Sequence, residues 1–323
     1  MRHLGDNRRP GRVVLIATLL GNALGLPAGA NNAPAPARLK SATVEAFNHY
    51  VRLTDARNDA NLPHGAAPLE VDALAEAPRA EAYRKLQGGQ VWIERVQIRD
   101  AGAIVECPDG MIHHWVGLVF VPGAKLGDVL AVLEDYNQHA VYYAPDVERS
   151  KTESRDGDHF RVFLRFRRRK VITVVLNTEH EVRYFHDSDT RAHSRSSAVR
   201  VAEVENPGKN DEREKTPGED DGFLWRMETW WRIIEGDGGV YVQSEVVSLT
   251  RDIPTGLGWL IRPFVTSVPR ESLTFTLQAT RKAVEDRILK VSWRPATGSV
   301  ESEIPAKRPA GPHVSTRPGF LEK

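Results

Sequence analysis

One run near the C-terminus, Arg251 to Leu289 (RDIPTGLGWLIRPFVTSVPRESLTFTLQATRKAVEDRIL), limits the folds open to this chain more than any other. Its first part is an apolar loop braced by Pro254, Gly256, Gly258 and Pro263, and its second part reads as one long helix. Pro269 falls in the first turn, where a missing N–H does no harm, with Ser267 just ahead as a candidate cap and Glu271 placed to favour the helix dipole. Leu273, Leu277, Thr280, Val284 and Ile288 then recur at intervals of four, three, four and four, a narrow stripe at the helical period. Such a stripe must lie on something apolar. Nearly everything from Ile112 to Leu249 reads as strand, so the sequence predicts an α+β chain whose long C-terminal helix lies across a curved antiparallel sheet of about seven strands.

The strands are expected at His114–Val121, Val147–Ser154, His159–Arg168, Val171–Phe185, Arg191–Glu203, Phe223–Glu235 and Val240–Thr250. Turn residues separate them, among them Asp156-Gly157 and Asp237-Gly238-Gly239, which implies consecutive antiparallel pairing. Two small helices, Lys125–Glu134 and Tyr136–Tyr143, follow the first strand. The insertion Asn206 to Gly222 (NPGKNDEREKTPGEDDG) is charged and Pro/Gly-containing, and is expected to be a mobile surface loop. These elements make a main domain over 111–290.

Around that domain the sequence divides into three further parts. Arg2, Arg8, Arg9 and Arg12 precede an apolar run from Val13 to Leu26, and Ala28-Gly29-Ala30 supplies small-x-small cleavage chemistry. Residues 1–30 are therefore expected to be a signal peptide cut after Ala30, giving a secreted or periplasmic protein. Residues 31–110 form an extension with helical patterns at Leu39–Arg57 and Arg79–Leu86 and short strands at Val91–Ile98 and Ala103–Glu106. It is either a cap packed on the main domain or a linker with little structure. Residues 291–323, with Pro295, Pro305, Pro309, Pro312 and Pro318, read as a disordered tail.

Alternation gives the sheet a buried face. Phe160, Val162, Leu164 and Phe166 point one way while Arg161, Arg165 and Arg167 point the other. The even positions from Ile172 to Tyr184 share a face that turns polar at Thr178 and His180, and Trp225, Met227, Thr229, Trp231 and Ile233 form a second apolar face. Together these would wall an interior floored by the Leu273 stripe. A cavity and a packed core require the same pattern, so both stay open.

Four polar residues, Thr178, His180, Tyr241 and Glu245, are placed nearest that interior. His180 and Glu245 are the catalytic candidates, an acid and base if both reach one substrate, or solvent-facing groups if a bulge turns either strand. His180, His186, His193, Asp187 and Asp189 show no metal-ligand spacing and read as a solvated turn, so no metal is expected. Arg165 to Lys170 is a basic run that reads as a hairpin end in water, with anionic headgroups as the alternative partner. Trp259 and Phe264, in the braced loop, are either a lid or a cap on the core. Cys107 is the only cysteine, which excludes disulfide frameworks, and a formal net charge of +1 supplies no pull toward nucleic acid. No nucleophile elbow or phosphate-cradling loop is present in the sequence, and no cofactor is expected.

The order of elements from Ile112 to Leu289 resembles the START-like helix-grip superfamily, also called SRPBCC. The residues that carry the resemblance are Trp115-Val116-Gly117 through Val121, Gly127-Asp128-Val129-Leu130 and Gly239-Val240-Tyr241. Arg251-Asp252-Ile253-Pro254 and Pro269 to Leu273 look like segments of secreted bacterial members related to polyketide cyclases and lipid-transfer proteins. The resemblance implies a helix-grip fold, with the sheet wrapped around the long helix and an apolar cavity between them for a lipid, sterol, polyketide or hormone. On this chain the cavity would fall to Phe160, Leu164, Thr178, His180, Tyr184, Trp231, Tyr241 and Glu245 on the sheet, and to Trp259, Phe264, Leu273, Leu277 and Thr280 beside or on the helix. It implies a binding protein for a hydrophobic small molecule; apart from the resemblance, no nucleic acid is expected as a partner, and transient membrane-surface contact stays open. The alternatives are a cyclase/aromatase- or isomerase-like enzyme in the same cavity, and an interaction module with a filled core.

Overall fold

The computed structural model describes residues 37–60, 68–170, 172–252 and 267–292. The expected signal peptide, Trp259 and Phe264 of the braced loop, and nearly all of the expected tail lie outside the described residues. In chain order the elements are β1 (Ala37–Arg38), α1 (Ser41–Asp59), α2 (Glu76–Gln87), β2 (Trp92–Arg95), β3 (Arg99–Asp100), β4 (Ala103–Ile104), β5 (Gly110–Pro122), α3 (Leu126–Leu133) and α4 (His139–Tyr142). There follow β6 (Val147–Asp156), β7 (His159–Arg169), β8 (Thr173–Ser188), β9 (Arg191–Glu205), β10 (Arg213–Glu214), β11 (Glu219–Asp220), β12 (Arg226–Gly236), β13 (Gly239–Arg251) and α5 (Val268–Ser292).

A nine-stranded sheet runs β2-β5-β13-β12-β9-β8-β7-β6, with β10 added on β9, and its pairings are antiparallel. The Asp237-Gly238 turn, both residues at positive φ, closes the β12–β13 hairpin and fixes Gly236 opposite Gly239. Sequence reasoning expects about seven strands; the sheet gains β2 from the extension and β10 from the charged insertion.

On the inner face, α5 lies across β5 and β13. Leu273, Leu277, Thr280 and Val284 are all buried, as the stripe requires. Each fully buried aliphatic of this kind contributes about 1.5–3 kcal/mol. The helix approaches closely because Gly117 has no side chain: a Cβ there would come within 2.7 Å of Leu277 Cδ1. Together these features make the α+β helix-grip arrangement.

The outer face is covered too. Phe47, Tyr50 and Val51 of α1 pack on Trp225, Trp230, Val247 and Leu249, while Leu86 and Ala82 of α2 pack on Val116, Leu118, Phe120 and Tyr241. The extension is thus a second layer, in one compact unit with the sheet. A buried polar clasp pins it. Glu245 Oε1 accepts from Arg57 Nη2 at 2.5 Å and His114 Nε2 at 2.6 Å, and Glu245 Oε2 accepts from Asn58 Nδ2 at 3.1 Å. Arg232 Nη2 donates to Asn58 Oδ1 at 2.8 Å. Burial pushes the Glu245 carboxyl up, but the His114 hydrogen bond and the guanidiniums of Arg57 and Arg232 outweigh it and hold the group below its ordinary value.

Three expectations are corrected here. Tyr241 and Glu245 face outward against the extension, because the two-residue turn sets their parity opposite to Trp231. Trp225 precedes the start of β12, escapes its alternation and packs outward, its indole donating to Asp220 Oδ1 at 2.8 Å. The charged insertion is tied down rather than mobile: the buried Glu203 carboxylate accepts from the Asp221 and Phe223 backbone N–H groups at 2.9 and 2.8 Å, and β11 pairs with β1.

Candidate ligand cavity

Between the inner face and the N-terminal half of α5 lies a cavity of about 300 Å³. Trp115, Leu164, Phe166, Leu176, Trp231 and Leu273 form much of its apolar wall. Parity on each strand puts them there: Trp231 on β12 shares its face with Met227 and Thr229, and Trp115 on β5 shares its face with His113. The α3–α4 region closes one side with Tyr136, His139 and Tyr143, which also border the space.

The histidines and tyrosines of this interior are hydrogen-bonded to side chains or backbone carbonyls, and those partners fix the proton positions. Thr178 Oγ1 donates to the Leu164 carbonyl at 3.0 Å, so it accepts from His180 Nε2 at 2.8 Å, which leaves His180 Nδ1 to accept from Ser196 Oγ at 3.4 Å. Thr250 Oγ1 donates to the Arg251 carbonyl, so His113 Nε2 is again the donor, at 3.0 Å. His139 Nε2 faces only carbonyls, of Val132 at 3.3 Å and Leu133 at 3.1 Å, and must donate. Tyr184 donates to the Leu133 carbonyl at 3.1 Å and accepts from Tyr136 at 2.8 Å, while Tyr143 donates to Thr280 Oγ1 at 3.0 Å.

Burial keeps these groups uncharged. It lowers His113, His139 and His180 each to about 4, with the Arg95 charge adding to the effect at His113 and carbonyl hydrogen bonds opposing it at His139. It raises Tyr136 and Tyr184 well above the ordinary range and pushes Tyr143 up to about 12. Among the described residues the charged groups at the cavity are Asp146, Arg167 and Arg168, with Arg168 paired with Asp146 and Arg167 with Glu148. Within the basic run Arg165, Arg167, Arg168 and Lys170 are paired with carboxylates, Lys170 through Glu271 at 2.5 Å.

Of the residues expected from sequence, Leu164, His180, Tyr184, Trp231 and Leu273 border the cavity. Phe160, Thr178, Leu277 and Thr280 lie on the same side but within the packing: Phe160 against the Tyr136 and Tyr184 rings, Thr178 under His180, Leu277 at Gly117, and Thr280 on Tyr143. Tyr241 and Glu245 are on the opposite face, so the His180–Glu245 acid–base pair does not exist. Sequence reasoning missed His113, Tyr136, His139, Tyr143 and Ser244. Ser244 was readable from the hairpin register, since it stands opposite Trp231; the α3–α4 residues carry no such signal. His186, Asp187 and His193 sit at a hairpin end, with His193 Nδ1 2.8 Å from Asp187, and among the described residues no cluster suits a metal ion.

No family model matches the chain, and no curated protein matches it. Among solved structures it is similar to the STAR-related lipid transfer protein (fragment 25-204) of Xanthomonas axonopodis, with 18% identity, 59% of this chain and 98% of that chain covered, and a TM-score of 0.40. It is also similar to the Zhui aromatase/cyclase of Streptomyces sp. R1128, with 16% identity, 55% and 96% covered, and a TM-score of 0.36. Human STARD10 shows 10% identity, 68% and 85% covered, and a TM-score of 0.38.

Proposed function

We propose that this chain is an exported carrier that binds a neutral hydrophobic small molecule between the sheet and α5. One observation carries that reading: an apolar-walled space of about 300 Å³ whose histidines and tyrosines are all held uncharged. Packed cores leave few voids larger than a water molecule, whereas ligand pockets begin at roughly 300 Å³. About 150 Å³ of apolar space accommodates a benzene, so a volume near twice that suits a bicyclic ring system or a chain of about ten carbons. Affinity would come from apolar burial at about 25 cal/mol per Å², with neutral polar groups fixing orientation. Export is supported by the arginine-rich start, the apolar run and the Ala28-Gly29-Ala30 pattern.

The test is native mass spectrometry of the chain produced with its own leader, followed by calorimetric titration with naphthalene. The expected result is a chain beginning at Asn31, carrying a non-covalent mass of small-molecule size or taking up naphthalene saturably. A chain that retains its leader removes the export half of the reading. One that neither carries nor takes up an apolar molecule removes the carrier half.

A further inference from the structure

Two serines flank the Trp231 indole in the sheet: Ser194 stands opposite it on β9, and Ser244 stands opposite it on β13. Each is 1% exposed, and neither Oγ has a hydrogen-bond partner. An unpartnered buried hydroxyl costs roughly 1–3 kcal/mol, and the histidines and tyrosines of the same interior avoid that cost through the pairings described above. Ser244 borders the cavity, whereas Ser194 does not. On its other side Ser244 faces Gly117, which brings no side chain, and the next inward position along β5 is Trp115, opposite Val246. Ser244 is therefore set in the wall between two tryptophans that also border the cavity, with its Oγ buried.

We propose that Ser244 sets the cavity's specificity by hydrogen-bonding a neutral oxygen, hydroxyl or carbonyl, on a ring-bearing ligand packed against Trp231 and Trp115. This rests on the carrier reading and narrows it. The ring follows from the two indoles that flank this position, since aromatic side chains favour offset or edge contacts with another ring. Neutrality follows from what surrounds Ser244. The cavity's imidazoles and phenols are uncharged, and the charges of Arg167 and Arg168 at its border are matched by Glu148 and Asp146; Arg168 Nε is a buried N–H without a partner, so a buried anion would find that one donor but no unmatched charge to offset its desolvation.

The experiment compares calorimetric affinities for naphthalene and 2-naphthol, which differ by one hydroxyl, in the wild-type protein, Ser244→Ala and Ser194→Ala. The expected result is that the wild type prefers 2-naphthol by roughly ten-fold, as one well-made hydrogen bond to an otherwise orphaned group allows. Ser244→Ala should erase the preference, so that the two probes bind alike, and Ser194→Ala should keep it. A preference that survives Ser244→Ala, or that vanishes only in Ser194→Ala, overturns the assignment and leaves the carrier reading standing. Binding of neither probe by the wild type removes both. Melting temperature gives a second readout: the ligand-free Ser244→Ala protein should melt at or above the wild-type temperature. A fall would mean that the hydroxyl already has a structural partner, which also overturns the proposal.

Discussion

Replacing Glu245 by Gln tests the outer clasp most directly. The carboxylate is 1% exposed and receives hydrogen bonds from Arg57, His114 and Asn58, with the 7% exposed Arg232 held on the same Asn58. Gln keeps the volume but removes the charge that two guanidiniums share, and it turns an N–H toward a donor. Breaking a fully buried pair from one side costs about 3–5 kcal/mol. Arg57 is 29% exposed and has a second carboxylate, Glu70, at 3.2 Å, so the loss should fall to about 2–4 kcal/mol. That is a large share of the roughly 5–15 kcal/mol that holds a domain together. Urea unfolding measures it, followed by tryptophan fluorescence, with Arg57→Met and the double variant completing a cycle. The cycle should return a coupling of at least about 1 kcal/mol between residues in contact. A loss below about 1 kcal/mol, or a coupling near zero, would mean that water screens the pair and that α1 is held by its other contacts, the packing of Phe47, Tyr50 and Val51 foremost.

The remaining predictions concern the inner layer and the response to pH. Gly117→Ala places a methyl within 2.7 Å of Leu277 Cδ1 and 3.4 Å of Leu273 Cδ2, so it should lower the unfolding free energy by about 1–3 kcal/mol, read from the urea midpoint; an unchanged midpoint would show that α5 yields freely. His113, His139 and His180 have values lowered from 6.5 to about 4, so the stability they contribute is present above pH 6.5 and lost as pH falls through about 4. Glu203 is raised to about 8 by burial and then by the Asp220 charge, so its contribution is present below pH 4.5 and lost as pH rises through about 8. Above pH 6.5 the three histidines are neutral in both the folded and the unfolded chain while Glu203 still titrates differently between them, so melting temperature should fall from pH 6.5 to about 8 and Glu203→Gln should flatten that fall. A curve unchanged above pH 6.5 in that variant would rule out Glu203 as the titrating group.

What the sequence revealed, and what it hid, follows from how local each signal was. The α5 stripe and the β7 and β8 alternations are local patterns, and the structure places their residues on the inner side. The parity of β13 against β12 was equally available. A two-residue Asp237-Gly238 turn makes Gly236 face Gly239, and stepping back five residues on each side puts Trp231 opposite Ser244, so an inward Trp231 requires an inward Ser244 and an outward Glu245. The covered outer face was also written into β5. Val116, Leu118 and Phe120 are as apolar as Val119 and Val121 on the other parity, and a strand apolar on both faces cannot leave one of them wet. The identity of the covering was not readable, because the contacts of Phe47 and Tyr50 with Trp230 and Leu249 span more than 170 positions and no period within α1 specifies them. The charged insertion misled for the same reason. Asp220 and Glu203 look solvated in their own neighbourhoods, and only the distant pairing of β11 with β1 and the backbone donors of Asp221 and Phe223 bury them. Those donors hold the segment that brings Phe223 and Leu224 to the cavity border. A stretch that composition reads as a loose loop is therefore one of the supports of the candidate site.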